Sequence, residues 1–173
     1  EYDLIPNFLV DISAIDLTTH VLGCDLPMPL MLAPTGMSRL FHTEAELAVA
    51  RAAGRHGTMY CLSTVGSESI ESVAAIATGP KMFQIYVLGD QGLNTEFISR
   101  ARESGYDALC LTVDVPVGGN RERDIRTGMA IPPNFTWRSK LSFLAHPRWS
   151  LRQLSGPRFD LPNVSGRVPD KNA

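Results

Sequence analysis

No stretch of this 173-residue chain approaches the roughly 18 uninterrupted apolar residues that a spanning helix needs. The first residues, Glu1-Tyr2-Asp3, have neither a basic region nor an apolar core, so no signal peptide is expected and the mature chain is expected in the cytoplasm. Cysteine is scarce and odd in number: Cys24, Cys61 and Cys110. Two of the three sit inside apolar runs, where a thiol behaves as a small core hydrophobe, so no disulfide framework is expected. The four histidines, His20, His42, His56 and His146, are far apart, and none pairs with another ligand type at the usual spacing, so no metal site is expected. His42, just before a helix start, reads as a local structural residue. The chain also lacks a Gly-x-Gly-x-x-Gly turn, a phosphate loop, a Gly-x-Ser-x-Gly elbow and an evident two-carboxylate site.

What is present is an ordinary globular composition, 44% hydrophobic, with 16 Lys+Arg against 18 Asp+Glu. The near balance hides an asymmetry. Residues 1–128 carry 9 basic and 16 acidic side chains, whereas residues 129–173 carry 7 basic and only 2 acidic. The basic tail holds Phe135, Trp137, Phe143, Trp149 and Phe159 beside Arg138, Lys140, Arg148, Arg152 and Arg158. This mixture suits an ordinary solvated loop, an anionic lipid surface or a partner. A sequence pI near 6.1 argues against nucleic acid.

The middle of the chain alternates short apolar runs with amphipathic ones. Leu30–Ala33, Thr58–Leu62, Lys81–Val87 and Ala108–Val113 read as strands, the last as one buried on both faces. Thr43–Arg55 reads as a helix with a Thr43/Glu46 capping box and a stop at Gly57. Ser67 or Ser69 can cap a second helix through Ala77, with Glu68 and Glu71 near its positive end. Asn94 can cap a third, whose Phe97, Ile98 and Ala101 form an apolar stripe ending at Gly105. A strand recurring every 23 to 28 residues, each but the last followed by a helix, is the pattern of βα units in a parallel sheet. An open doubly wound sheet and a (β/α)8 TIM barrel both fit, and the even period points toward the barrel. Four units are half of a fold that usually needs about 250 residues. Runs around Leu9–Ile12 and Thr18–Leu22 suggest a hairpin closing the barrel floor. A chain that opens without methionine and stops at a polar Lys171-Asn172-Ala173 is expected to be a fragment.

Active sites of such barrels lie at the C-terminal strand ends. There the sequence places Pro34, Thr35 and Gly36, then Ser63 and Thr64, then Gln84 and Tyr86, then Thr112 and Asp114. Ser63, Gln84 and Thr112 are neutral donors or acceptors, a set better suited to an uncharged heteroaromatic ring edge than to a metal ion.

Taken together, Leu32-Ala33-Pro34-Thr35-Gly36-Met37, Leu62-Ser63-Thr64, Phe83-Gln84-Ile85-Tyr86-Val87, Leu111-Thr112-Val113-Asp114-Val115-Pro116 and Gly119-Asn120-Arg121-Glu122-Arg123-Asp124 resemble the FMN-dependent 2-hydroxy acid dehydrogenase and oxidase family over about residues 4–165. The segment His146-Pro147-Arg148-Trp149-Ser150-Leu151 is most similar to the mandelate and membrane-associated lactate dehydrogenase branch. The resemblance implies a TIM barrel of which this chain holds the first four βα units, an N-terminal hairpin and a long loop after the fourth strand. Residues 1–128 would be the N-terminal half of the FMN-binding barrel and 129–173 a basic aromatic insertion facing a membrane or partner. The implied reaction is oxidation of an L-2-hydroxy acid, of lactate or mandelate type, to the 2-oxo acid.

By the same resemblance, the backbone at Pro34, Thr35 and Gly36 would lie against FMN, and Ser63, Gln84 and Thr112 would bond its pyrimidine side. Tyr86 and Arg121 would bind the substrate, Arg121 through a two-point contact to the carboxylate. Asp114 would orient basic groups or cap a loop. Gly36, where many oxidases of the family have Ala, favours a dehydrogenase passing electrons to quinone or cytochrome. Val65, where glycolate oxidase has Trp, marks a different substrate pocket. The family's His base, second Arg and flavin-side Lys belong to the second half of the barrel, so no catalytic residue is expected in this chain, which alone would neither close a barrel nor turn over. The whole enzyme would be a homo-oligomer, cytoplasmic or peripheral on the inner face of the cell membrane. Two other readings stay open: another FMN barrel enzyme, similar to type 2 isopentenyl diphosphate isomerase, and a non-catalytic half-barrel.

Overall fold

The computed structural model describes residues 3, 5, 6, 8–114, 119–127 and 136–165. Val115, Pro116, Phe135, the 128/129 boundary, the final Lys171-Asn172-Ala173 and the side chain of Arg138 lie outside the described residues. The chain begins with an antiparallel hairpin, β1 (Thr19–Val21) and β2 (Cys24–Leu26). Its two turn residues, Leu22 and Gly23, both have positive φ, as a twist-matched two-residue hairpin requires. The expected floor hairpin therefore exists, but it is displaced: Leu9–Ile12 forms no strand.

Four parallel strands follow in chain order: β3 (Met31–Leu32), β4 (Met59–Ser63), β5 (Lys81–Tyr86) and β6 (Ala108–Thr112). Helices α1 (Ala45–His56), α2 (Ile70–Ile76) and α3 (Gln91–Glu103) make the crossovers. A sheet whose neighbours in space are its neighbours in sequence is the arc of a (β/α)8 barrel, and here it is an open arc with β3 and β6 at its edges.

The two faces of the arc bury different residues. Tyr60, Leu62, Phe83 and Ile85 pack outward against Ala50, Ala53, Ile70, Val73, Leu93, Phe97 and Ala101 of the helices. Phe83 sits edge-on to both Phe97 and Tyr106, with ring centroids 5.8 and 6.1 Å apart. On the inner face, Met59, Cys61 and Met82 meet Leu26 of the hairpin, flanked by Val21, Cys24, Ala108 and Cys110. The hairpin thus does floor the arc.

Several local expectations are corrected. Thr43 and Glu46 form no capping box: α1 starts after Glu44 with no side-chain cap, and Glu46 turns inward instead. Asp90, rather than Asn94, caps α3 by accepting from Leu93 N at 3.1 Å. Asn94 braces the preceding turn, accepting from Leu88 N and donating to Leu88 O. Between the two expected caps of α2, Ser69 is the one used. Ile98 is 47% exposed, because Leu93, Phe97 and Ala101 complete the buried stripe without it. β6 is not buried on both faces: Leu109 and Leu111 are 46% and 60% exposed on the side away from the inner cluster. An unbroken apolar run shows that two faces are to be covered, not that both are covered here.

The long loop expected after the fourth strand contains helices. After α4 (Glu122–Thr127), α5 (Trp137–Leu144) and α6 (Pro147–Ser155) pair through Phe143 and Trp149, 5.3 Å between ring centroids. Pro147 opens α6 at a position where a missing N–H costs nothing. Beyond α6, Asn163 is buried and acts as a surrogate cap for α2: its Oδ1 accepts from Ile70 N (3.1 Å) and Arg100 (3.2 Å), and its Nδ2 donates to Glu68 O (3.1 Å).

Candidate functional site

Parallel pairing puts Ser63 beside Gln84 in register, and the alternation along β5 and β6 turns Gln84 and Thr112 to the same concave face. There the three residues form one chain of hydrogen bonds. Ser63 Oγ donates to Gln84 Oε1 at 3.0 Å, and Gln84 Nε2 donates to Thr112 Oγ1 at 2.6 Å. Thr64 N also donates to Gln84 Oε1, at 3.2 Å. With Oε1 so engaged, the amide has one orientation, and its nitrogen faces Thr112 with a second N–H still to give. Thr112, whose oxygen already accepts, keeps its own proton for donation. Ser63 and Gln84 are buried, so the row is held before any ligand arrives.

Thr64, a strand-end residue to which the sequence alone assigns no role, is a support. Its hydroxyl donates to Gln84 O at 2.5 Å and accepts from Tyr86 N at 3.3 Å, binding the strand ends of β4 and β5 together. A hydroxyl at a strand end that turns to the outer, helix-covered side is the signal that could have found it. Tyr86 follows Gln84 on the concave face and is half-buried.

The loop after β3 lies alongside. Pro34 and Thr35 are exposed and Gly36 is half-buried. A Cβ on Gly36 would come within 2.6 Å of Val65 Cγ2, so the glycine is explained at once by its neighbour in the next loop. Met37 adopts left-handed φ 57° and donates its N–H to Val65 O at 2.9 Å. Gly36 and Val65, which the family resemblance singles out, therefore touch.

Arg121 is placed differently. It precedes α4, its side chain is 81% exposed with the guanidinium 3.9 Å from the Asp124 carboxylate, and no hydrogen bond joins it to the strand-end row among the described residues. Asp114 is exposed at the end of β6. His42 accepts from Glu44 N through Nδ1 at 3.2 Å, a local role. Among the described residues no three His, Cys, Asp or Glu side chains cluster as metal ligands would. Below the row, burial first and the neighbouring Cys110 second push the Cys61 thiol up to about 12. The Tyr60 hydroxyl behind it is also raised, by burial and then by the charge of Glu46. Neither group ionises near neutrality.

The α5–α6 hairpin leans on the same region. Trp149 Nε1 donates to Leu40 O at 3.2 Å, and Gln153 Nε2 donates to Arg39 O at 2.7 Å. Arg39 is itself buried and paired with Glu68. Leu40, Phe143, Pro147, Leu151, Leu154 and Phe159 line an apolar groove of about 650 Å³. Leu144, Leu151 and Leu154 are exposed near Arg148 and Arg152. Among the described residues no helix is long and apolar enough to cross a membrane.

The parallel βα arc aligns neutral donors at the C-terminal ends of its strands, and this donor set fits the pyrimidine edge of a flavin: a buried amide with a spare N–H, a spare hydroxyl proton, and no carboxylate or cation in the row. The chain belongs to the FMN-dependent dehydrogenase family, whose model matches residues 1–171. It is 48% identical over 134 residues to L-lactate oxidase of Nostoc sp., covering 75% of this chain and 37% of the relative. To glycolate oxidase of Spinacia oleracea it is 42% identical over 131 residues, covering 76% and 36%. Among solved structures it superposes on the monotopic membrane protein (S)-mandelate dehydrogenase with a TM-score of 0.86 at 36% identity, covering 94% of this chain and 43% of that one. The chain spans about a third of the length of the curated relatives it matches.

Proposed function

We propose that this chain supplies the flavin-facing arc of an enzyme that uses FMN to oxidise an L-2-hydroxy acid to the 2-oxo acid. The observation that carries the reading is the Ser63–Gln84–Thr112 row, a preformed neutral edge at the strand ends where barrels carry their active sites. The named activities of the relatives, on lactate, glycolate and mandelate, supply the substrate class.

Bound FMN would accept the two electrons of the oxidation. The chain's own residues do the holding. Gln84 and Thr112 would donate to the pyrimidine side, favouring the ring as negative charge accumulates on it. Pro34, Thr35 and Gly36 would face the ring with backbone rather than side chain. Tyr86 would direct its hydroxyl at the substrate's oxygens, and Arg121 would swing from its exposed position to grip the carboxylate. Electrons would pass to a quinone or cytochrome, with the α5–α6 hairpin at the membrane surface, in a homo-oligomer. A membrane-bound acceptor suits a protein whose solved neighbour is monotopic and whose own hairpin carries exposed leucines beside arginines.

The test is anaerobic addition of L-lactate, (S)-mandelate or glycolate to the whole protein loaded with FMN. Bleaching of the yellow flavin by at least one of them is expected. A protein that takes up no flavin, or whose flavin none of the three reduces, would overturn the reading.

A further inference from the structure

We infer that Glu46 is a positioning residue that holds the two ring-facing loops of the barrel in register, a role that rests on the flavin reading above. Glu46 lies in the first turn of α1, is fully buried, and has no part in capping its own helix. A single oxygen, Oε1, accepts from Ser38 N at 3.2 Å and from Ser67 N at 2.9 Å. Ser38 is two residues past Gly36, and Ser67 is four past Ser63. One carboxylate on a helix therefore grips both the loop after β3 and the loop after β4, from the side opposite the concave face.

Two direct ties between the loops, Met37 N to Val65 O (2.9 Å) and Arg39 N to Ser67 Oγ (3.1 Å), complete the arrangement. Those ties fix one loop relative to the other. Glu46 adds a tie of both loops to α1 itself, and so to the sheet. Burying a polar side chain costs free energy that a helix-surface residue need not meet, and hydrogen bonds to two otherwise unsatisfied amides are what offsets it. Oε2 has no partner among the described residues, so the second oxygen adds nothing to the grip. Gln should consequently replace Glu46, and an apolar residue of equal length should not.

The experiment compares Glu46→Gln and Glu46→Met in the whole protein by amide hydrogen exchange without flavin and by FMN titration. In Glu46→Met, exchange at Ser38 and Ser67 should accelerate about tenfold or more while the α3 amides stay at wild-type rates, and the FMN Kd should rise by about the same factor. Glu46→Gln should restore both readouts. Unchanged exchange in Glu46→Met, or accelerated exchange with unchanged FMN affinity, would overturn the inference. Should Glu46→Met fail to fold, accelerated exchange at the two serines in Glu46→Gln would overturn it equally. Wild-type protein that takes up no FMN would overturn the flavin reading alone, since the exchange comparison still decides whether Glu46 holds the loops.

Discussion

Gln84 shows how much one side chain organises. Its amide closes the row to Ser63 and Thr112 and also satisfies the buried Thr64 N. Replacing it with Met keeps the volume but leaves that amide unpaired, at a cost of about 1–3 kcal/mol. Gln84→Met should lower stability in urea by about that amount and weaken FMN binding, whereas a change in flavin affinity without loss of stability would contradict the internal role. Ser63, Gln84 and Thr112 were legible in the sequence because each ends an apolar run with a neutral polar group. Thr64 and Glu46 were not, because their partners lie 20 and 21 residues away and become neighbours only through strand pairing and loop packing. Local spacing suggested a capping box for Glu46, and a tertiary demand for an acceptor between two loops overrode it.

Between elements, the joint of α2, α3 and the returning chain is held by charge. Arg100 Nε and Nη2 bond both oxygens of Glu71 at 2.6 and 2.8 Å, and Arg100 also donates to Asn163. The Arg100 hydrogen bonds hold the Glu71 carboxyl down at about 2. A carboxyl depressed in the folded state stabilises above its unfolded value of about 4.3 and loses that contribution as pH falls through the folded one. Wild-type stability should therefore decline between about pH 5 and 2 more steeply than that of Glu71→Gln, compared by urea midpoints across that range. Parallel acid profiles would show the pair to be idle. The sequence disclosed α1, α2 and α3 to within a few residues through Gly57, Ser69 and Gly105, each a chemical stop or start. It did not disclose α5 and α6, since their apolar residues pack on each other and on the turn at Leu40 rather than along one stripe facing a core.

For the whole molecule, the divided charge and the docked hairpin lead to one measurement. If the cationic, leucine-bearing hairpin meets an anionic membrane, the protein should sediment with vesicles containing phosphatidylserine and be released by salt. Arg148→Gln with Arg152→Gln removes two charges, each worth about 1 kcal/mol at such a surface, so affinity should fall roughly thirtyfold. Equal sedimentation with neutral vesicles would refute the electrostatic part. The barrel class was readable from the even strand period, whereas the exposure of Leu109 and Leu111 was not, because whether a face is covered depends on what stands beside it. The hydrogen-bonded row has a further consequence for building hybrid barrels. Ser63, Thr64, Gln84 and Thr112 support one another across three strands, and Glu46 anchors the loops behind them. A recombination junction anywhere from 46 to 112 separates members of that set, so the smallest stretch that can be exchanged between relatives with its ring edge intact is that whole interval, inherited as a single block.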